Sequence, residues 1–312
     1  MNQTRKHHIE MKKIILVAGA TGNLGLRIVK ALLNKDAEIR VIVRSNSDFE
    51  NIKILENLGV KIYKVSKWSL EELKTPCIDV SCVVSSLAGL REVVIDAQKI
   101  LLDAAIAAGV PRFIPSDYSL DFTKFSYGEN RNLDLRREFH EYLDKTSISA
   151  TSIFNGAFAE LLTNEMPLIF FKRKMILYWG NADYRWGFTT MDNTAEFTAK
   201  VALDSSTPRY LRIAGDLINP REVKVVVREV TGQKFRLFSP GGKRILGTII
   251  KIARKLAPGD KELYPAWQGM QYMHNMIDER SKIAKLDNDR YPEIRWTTVK
   301  DVLSKYQHDS SY

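Results

Sequence analysis

The chain has 312 residues, and 47 lysines and arginines against 37 aspartates and glutamates give it a formal net charge of +10. Hydrophobic residues make up 45% and charged residues 27%, a balance that excludes a disordered chain, a fibrous repeat and a disulfide scaffold. The length allows one large domain, or one domain with a smaller lobe. The basic surplus suits nucleic acid, an anionic membrane or a phosphate-bearing ligand, and does not choose between them.

Two cysteines, Cys77 and Cys82, bear on the cellular compartment and on metals. Their spacing matches no common zinc or redox motif, so we expect no metal site. Unpaired thiols in apolar sequence are typical of a reducing compartment, which predicts a cytoplasmic protein. Residues 1–11 are predicted to be an N-terminal extension. No targeting or membrane-spanning segment is expected, because the apolar stretch at 14–20 is too short for either.

Strand and helix patterns alternate through the first half of the chain. Strands are predicted at Ile14–Ala18, 38–43, 60–65, 79–85, 112–115 and 150–154, and helices at Asn23–Leu33, 48–58, 93–108 and 131–146. Strands that alternate with helices through short loops predict a parallel sheet with helices on both faces. We therefore expect a Rossmann-type, doubly wound α/β domain over residues 12–156.

The second half of the chain has a looser, mixed pattern. Strands are predicted at 174–179, 210–213 and 234–238, and helices at 193–203, 220–230, Lys243–Leu256, 263–278 and 297–306. This pattern predicts a smaller C-terminal α/β lobe over residues 157–312, interleaved with the first domain, that holds a substrate or a partner.

A glycine-rich turn lies between the first strand and the first helix, in the sequence Gly-Ala-Thr-Gly-Asn-Leu-Gly. Gly19 permits a tight turn, Gly22 lets backbone approach a pyrophosphate, and Gly25 lets the helix pack closely on the strand. The helix N-terminus adds unpaired N–H groups and a partial positive charge. A plain strand-to-helix turn is the alternative, but the βαβ context favours dinucleotide binding.

The end of the second strand indicates which dinucleotide is bound. NAD-binding proteins usually place an acidic residue there for the ribose 2′-OH. Asp36 and Glu38 lie at the opposite end of this strand, whereas its carboxyl end carries Arg44 and Ser45. A guanidinium can hold a 2′-phosphate through charge-assisted hydrogen bonds, so NADP(H) is predicted. A solvated surface arginine is the alternative interpretation.

The Gly-Ala-Thr-Gly-x-x-Gly spacing resembles the NmrA-like and isoflavone-reductase-like family of atypical short-chain dehydrogenase/reductases. Two later stretches are similar to that family: residues 112–118 (RFIPSDY), at its fifth strand, and residues 148–159 (ISATSIFNGAFA), at its sixth. The resemblance covers roughly residues 12–240. It implies an NADPH-dependent reductase that transfers hydride to a small, largely apolar carbonyl, enone or quinone.

The resemblance also implies roles for individual residues. The pyrophosphate would be bound by Gly19, Thr21, Gly22, Asn23, Leu24 and Gly25, the 2′-phosphate by Arg44, the adenosine side by Ser85, Ser86 and Leu87, and the nicotinamide by Pro115, Ser116, Asn155 and Phe158. These positions follow parallel strands at their carboxyl ends, where open α/β sheets bind ligands.

The sequence departs from the family at the lysine that assists proton transfer, since Arg136 or Arg137 stands there. Arginine does not release its proton near neutral pH, although it can stabilise developing negative charge. Lys124 and His140 are substitute candidates, and His140 is alternatively a hydrogen-bonded structural histidine. Without the lysine, a second hypothesis stands: a non-catalytic NADP(H) sensor that acts through a protein partner, or as a homodimer.

Two features of the second half keep further alternatives open. The predicted helix Lys243–Leu256 is basic and amphipathic, which suits an anionic membrane, a partner or ordinary packing on the domain. Residues 264–276 are rich in aromatic residues and methionine, which suits either a pocket wall or core packing. No recognised nucleic-acid-binding motif accompanies the charge, so no nucleic acid is expected.

Overall fold

The computed structural model describes residues 12–309, except 36, 46, 48, 164, 165 and 167. The predicted N-terminal extension, residues 1–11, and the predicted helix start at residue 48 lie outside the described residues. No helix in the described part of the chain is long and apolar enough to cross a membrane.

Six parallel strands form the main sheet: β1 (Ile14–Ala18), β2 (Glu38–Arg44), β3 (Lys61–Val65), β4 (Cys82–Ser85), β5 (Arg112–Ile114) and β6 (Ser149–Ala150). Their order is β3-β2-β1-β4-β5-β6. The direction of winding reverses between β1 and β4, and this reversal opens the crevice in which doubly wound sheets bind ligands. The predicted Rossmann-type fold is confirmed.

Helices cover both faces of this sheet: α1 (Asn23–Leu33), α2 (Phe49–Asn57), α3 (Leu70–Cys77), α4 (Gln98–Ala107), α5 (Arg131–Leu143) and α6 (Met191–Leu203). One apolar cluster joins α1, α2 and α6 to the sheet, and another joins α3, α4 and α5 to it. The sequence pattern did not predict α3, which begins where the Ser69 side chain accepts from the backbone N–H of Glu72. A π-helical turn, Glu92–Ala97, precedes α4.

The single strand predicted at 150–154 is corrected to two short strands. β6 pairs with β5, whereas β7 (Ser152–Phe154) pairs in parallel with β12 (Tyr210–Arg212). The change of partner falls at Thr151, whose N–H still donates to the carbonyl of Phe113 at 3.0 Å. The next N–H, of Ser152, donates to the carbonyl of Arg209 at 2.8 Å. Backbone pairing with a distant segment therefore divides an apolar run that reads as one strand.

The rest of the chain builds a lobe around its own apolar cluster, which includes Trp186, Val223, Leu246 and Met273. Its strands are β8 (Ala157–Phe158), β9 (Ile169–Phe170), β10 (Met175–Leu177), β11 (Trp186–Thr189), β13 (Asp216–Ile218) and β14 (Arg236–Phe238), and its helices are α7 (Pro220–Thr231), α8 (Lys243–Leu256), α9 (Ala266–Met276) and α10 (Val299–Asp309). The strands form two small sheets, β14-β10-β9 and β13-β11-β8.

Candidate functional site

The glycine turn after β1 is built so that only glycine fits at two positions. Gly19 has a φ of +82°, and a Cβ there would lie 2.7 Å from the carbonyl oxygen of Ser86. A Cβ on Gly25 would lie 2.1 Å from the carbonyl oxygen of Gly19. The turn closes through the Gly22 N–H, which donates to the carbonyl of Gly19 at 3.0 Å. The bare backbone of this turn is therefore open to close approach by a ligand.

The N-terminus of α1 differs from those of four other helices. Side chains of Ser69, Asn130, Thr190 and Asn219 cap α3, α5, α6 and α7. α1 follows Gly22 with no side-chain cap and no acidic residue in its first turn, which is also true of α8 and α9, but only α1 follows the glycine turn at the edge of the main sheet. Its first N–H groups and its positive dipole end are left to a ligand, and an anion is the ligand that they favour.

Hydrogen bonds join the loops that follow β1, β4, β5 and β7 into one continuous edge. The Ser86 hydroxyl donates to the carbonyl of Ala18 at 2.8 Å, which ties the loop after β4 to the glycine turn. The Ser116 hydroxyl donates to the carbonyl of Leu87 at 2.7 Å. The Gly156 N–H donates to the carbonyl of Ser119 at 3.2 Å. The predicted pyrophosphate, adenosine and nicotinamide residues are therefore brought together along the carboxyl ends of the strands.

Asn155 and Ser85 on this edge are buried polar side chains with no hydrogen-bond partner among the residues that the structure describes. Asn155 is fully buried, and both its Oδ1 and its Nδ2 lack a hydrogen bond. The hydroxyl of Ser85, also fully buried, lacks one too. Leaving such a group unpaired costs about 1–3 kcal/mol, so a ligand that supplies partners is stabilised here. Asn155 offers one donor and one acceptor, which match the carboxamide of a nicotinamide.

Arg44 lies at the other end of the edge, where β2 stops. Its guanidinium carbon lies 5.2 Å from the centre of the Trp68 ring, and it forms no ion pair with a carboxylate of the described residues. Ser45 donates through both its N–H and its hydroxyl to the carbonyl of Val65, at 3.1 and 3.0 Å. Arg44 is thus the available cation for a 2′-phosphate, while Ser45 shapes the turn. These residues fit NADP(H).

Two of the predicted proton-transfer residues make structural contacts instead. The Nζ of Lys124 donates to the carbonyl of Lys282 at 3.1 Å. Arg137 donates to the carbonyls of Phe122 and Phe125 and stacks at 5.2 Å on the ring of Tyr127. These contacts hold the loop between β5 and α5 in place.

Arg136, another candidate for proton transfer, contacts the loop after β5. We call this loop, which contains Pro115 and Ser116, the nicotinamide-side loop. Its Nε donates to the carbonyl of Ser116 at 3.2 Å, and its Nη1 donates to the carbonyl of Asn132 at 2.9 Å. The guanidinium therefore lies beside the loop that was predicted to border the nicotinamide. A fixed cation in that place stabilises negative charge that develops on a substrate.

His140 is buried, with 5% of its surface exposed. Its Nε2 lies 2.6 Å from Oδ2 of Asp117, and Arg209 donates to its Nδ1 at 3.2 Å. These contacts hold the imidazole between Asp117 and Arg209. Burial alone would raise the pKa of Asp117, but the contact with His140 holds that pKa below its ordinary value. The geometry matches the structural alternative for His140.

Helix α9 docks on the N-terminus of α5 through amide side chains. Gln268 donates to Oδ1 of Asn130 at 2.8 Å, and Nδ2 of Asn130 donates to Oδ1 of Asn275 at 3.0 Å. Oε1 of Gln271 accepts from the N–H of Arg131 at 3.1 Å. The stretch 264–276 therefore presents polar groups to α5, which its aromatic and methionine content did not indicate.

Tyr272 of α9 also packs against α5, at a position that the sequence did not single out. It is half-buried and packs against the cluster of Phe122, Phe125, Leu133 and Phe154. Burial raises the pKa of its phenol, while Arg136 and the Asn132 side chain act in the opposite direction. The Arg136 guanidinium is near enough to lower the pKa of this phenol. No local pattern could indicate this, because α5 and α9 meet only in the folded chain.

A recess of about 500 Å³ lies between α1 and α6. Its walls carry charges of both signs, and Arg27 pairs with Asp192 while Lys35 lies 3.9 Å from Glu196. Four of its five charged side chains form these two pairs and Lys30 adds one positive charge, so the recess lacks the cluster of cations that a dinucleotide needs.

A bare glycine turn at the switch point of a doubly wound sheet, with an uncapped helix behind it, defines the class of dinucleotide-binding Rossmann proteins. Within that class, the chain belongs to the NmrA-like family, whose model matches residues 11–291. The resemblance seen in the sequence is confirmed.

Known proteins resemble this chain over nearly its whole length. Pinoresinol reductase 2 of Arabidopsis thaliana is 26% identical over 310 residues, covering 94% of this chain and 96% of the relative. The structure of AtPrR2 with NADP+ and (+)pinoresinol superposes with a TM-score of 0.80 at 23% identity, covering 95% of this chain and 99% of the other. The leucoanthocyanidin reductase–NADPH complex from Vitis vinifera gives 0.78 at 18% identity, with the same coverage.

Proposed function

We propose that this protein is an NADPH-dependent reductase. The observation that carries the proposal is the uncapped N-terminus of α1, which shares one sheet edge with the unpartnered amide of Asn155. An anion site and an amide donor and acceptor along one edge match the pyrophosphate and the nicotinamide carboxamide of a nicotinamide dinucleotide. The relatives named above as pinoresinol reductases, and the neighbours solved with NADP+ or NADPH, support the same activity.

The chain's own groups would hold the cofactor at three points. The glycine turn and the first N–H groups of α1 bind the pyrophosphate, Arg44 binds the 2′-phosphate, and Asn155 binds the carboxamide of the nicotinamide. Ser85, Ser116 and Phe158 border the cofactor between these points. Bound NADPH supplies the hydride for the reduction.

For the matching proton, we propose the phenolic hydroxyl of Tyr272. It donates its proton to the substrate oxygen while the neighbouring carbon receives the hydride, and water then restores the phenol. Arg136, held by its hydrogen bond to the carbonyl of Ser116, stabilises the negative charge on the phenolate. The pair would replace the family lysine, since a phenol can release its proton and arginine cannot.

The substrate we propose is a small, largely apolar carbonyl, enone or quinone. Tyr272 stands against the aromatic cluster of Phe122, Phe125 and Phe154, so the wall beside the proposed donor is apolar. We also propose a cytoplasmic location, which is supported by two free, buried cysteines that form no disulfide.

One set of observations favours the alternative of an NADP(H) sensor that works through a protein partner or as a homodimer. Lys124, Arg137 and His140 all make structural contacts, which leaves Tyr272 as the donor on which catalysis depends. A chain in which neither Tyr272 nor water transfers the proton binds the cofactor without turnover.

Two measurements separate the two functions. Fluorescence titration with NADPH and NADH gives the affinity and the cofactor preference. NADPH oxidation is then followed with a panel of quinones, enones and aldehydes. Tight NADPH binding together with oxidation on at least one substrate is expected. Tight binding without oxidation on the whole panel rejects the reductase and supports the sensor.

A further inference from the structure

Helix α8 has two apolar faces: one is buried on the lobe, and the other packs on it only through the partly buried Ile249. Leu246 and Ile250 are buried against the lobe. About 100° around the helix, Ile245, Ile249, Ile252 and Leu256 follow one another at intervals of three or four residues along one stripe. The exposed fractions of Ile245, Ile252 and Leu256 are 50%, 53% and 79%. We call these four residues the outer stripe.

The cations of α8 also fall into two groups, one that faces the lobe and one that is exposed. Lys243 pairs with Asp278, and the guanidinium carbon of Arg254 lies 5.0 Å from the centre of the Trp267 ring, so both face the lobe. Arg244, Lys251 and Lys255 are exposed and form no ion pair with a carboxylate among the residues that the structure describes. At helical spacing they form a row along one side of the outer stripe. We call these three residues the cationic row.

We propose that the outer stripe and the cationic row bind the surface of an anionic lipid bilayer, with α8 lying in the plane of the interface. An apolar stripe edged by lysine and arginine on a single convex helix matches the boundary between acyl chains and anionic headgroups. No acidic residue occurs from Lys234 to Leu256, and the chain's net charge of +10 adds long-range attraction to a negative surface.

Other occupants fit this surface less well. Two copies that met antiparallel through the outer stripe about a twofold axis would bring their cationic rows together, and like charges repel. The chain's own first eleven residues carry Arg5 and Lys6 against the single acid Glu10, so they do not complement the row. An acidic peptide would complement the row but not the apolar outer stripe, so dependence of binding on the stripe favours lipid.

The test is cosedimentation of the full-length protein with vesicles. One set contains phosphatidylcholine alone, and the other contains about one third phosphatidylserine, which gives a strongly negative surface. The stripe variant carries Ile252→Ser and Leu256→Ser, and the row variant carries Lys251→Glu and Lys255→Glu. Val225→Ser and Lys224→Glu, at exposed positions of α7, are matched controls for lost apolar surface and for reversed charge. Circular dichroism checks that every variant is folded.

We expect binding to the phosphatidylserine vesicles that weakens at high salt, and no binding to phosphatidylcholine alone. The stripe and row variants should each bind about ten-fold more weakly, and the controls should bind as the wild type does. Absence of binding to anionic vesicles overturns the proposal. Equal binding of the stripe variant and the wild type to anionic vesicles also overturns the proposal, because charge alone would then explain the binding. A wild-type dimer that the stripe variant dissociates, without vesicle binding, assigns the surface to a second copy and also overturns the proposal.

Discussion

Nε2 of His140 lies 2.6 Å from Oδ2 of the fully buried Asp117. Arg209 continues the chain of contacts, since its Nη2 donates to Nδ1 of His140 at 3.2 Å and to Oδ1 of Asp144 at 2.9 Å. Asp117 directly follows Ser116, whose hydroxyl and carbonyl oxygen contact Leu87 and Arg136. The buried pair therefore anchors the nicotinamide-side loop to α5.

The contact between Asp117 and His140 makes the free energy of unfolding depend on pH under acidic conditions. The pKa of Asp117 is lower in the folded chain than in the unfolded chain, so ionisation of Asp117 favours folding. Its contribution is complete above the unfolded pKa of about 3.9 and is lost as the pH falls through the folded value. Urea unfolding of the wild type and of Asp117→Asn should show a gap in unfolding free energy near neutral pH that narrows in acid. A gap that is constant with pH would contradict this assignment.

Removing the imidazole leaves a buried carboxylate without its partner. His140→Ala should lower the unfolding free energy by about 3 kcal/mol, because an uncompensated buried charge is strongly destabilising. Glu141→Gln, at the next and exposed position of α5, is the matched control and should change it by less than about 0.5 kcal/mol. Equal losses in the two variants would mean that the pair does not anchor the loop.

A methyl group should have opposite effects at two helical glycines. Gly25→Ala places Cβ 2.1 Å from the carbonyl oxygen of Gly19, so the turn must move, which should cost about 3 kcal/mol of stability and abolish NADPH binding. Gly269 in α9 has open space around its Cα, and Gly269→Ala should stabilise the protein by about 0.5–1 kcal/mol. Urea unfolding and NADPH titration check both variants. Unchanged NADPH affinity in Gly25→Ala would remove the glycine turn from the site.

Arg44 should decide between the two nicotinamide dinucleotides. Arg44→Ala removes the charge-assisted contact to the 2′-phosphate, and we expect NADPH to bind about ten- to a hundred-fold more weakly. Affinity for NADH should stay the same, since NADH has no 2′-phosphate. Arg221→Ala, which removes an exposed arginine from α7, is the control for net charge. Equal weakening for both cofactors would show that Arg44 acts on the fold and not on the 2′-phosphate.

Tyr272→Phe tests the proposed proton donor with little change in shape. Loss of the hydroxyl should lower kcat about a hundred-fold, which is the usual contribution of a positioned acid. The Kd for NADPH should not change, because the phenol does not hold the cofactor. Tyr264→Phe, at an exposed position in the same stretch, should keep full activity. Wild-type turnover in Tyr272→Phe would exclude this role for Tyr272, even if the protein is a reductase.

Local patterns in the sequence were enough to predict the main sheet, the glycine turn and α8. Alternating strands and helices, and glycines between β1 and α1, reflect conformational preferences and burial over a few neighbouring residues. The bounds of α8, Lys243–Leu256, are those predicted, because its apolar and basic residues repeat strictly at helical spacing. The short strand β8 and the helix α3 were not predicted, because segments this short show no clear periodicity of apolar residues.

Only the tertiary structure decided which charged and polar groups are available for function. The sequence places Arg136 and Arg137 side by side, but packing directs one to the Ser116 loop and the other to the carbonyls of Phe122 and Phe125. His140 is paired with Asp117, and Tyr272 packs against Phe122 and Phe154 from a helix more than a hundred residues away in the chain. Local propensity sets where helices and strands form, whereas the partner of a side chain depends on contacts between distant segments.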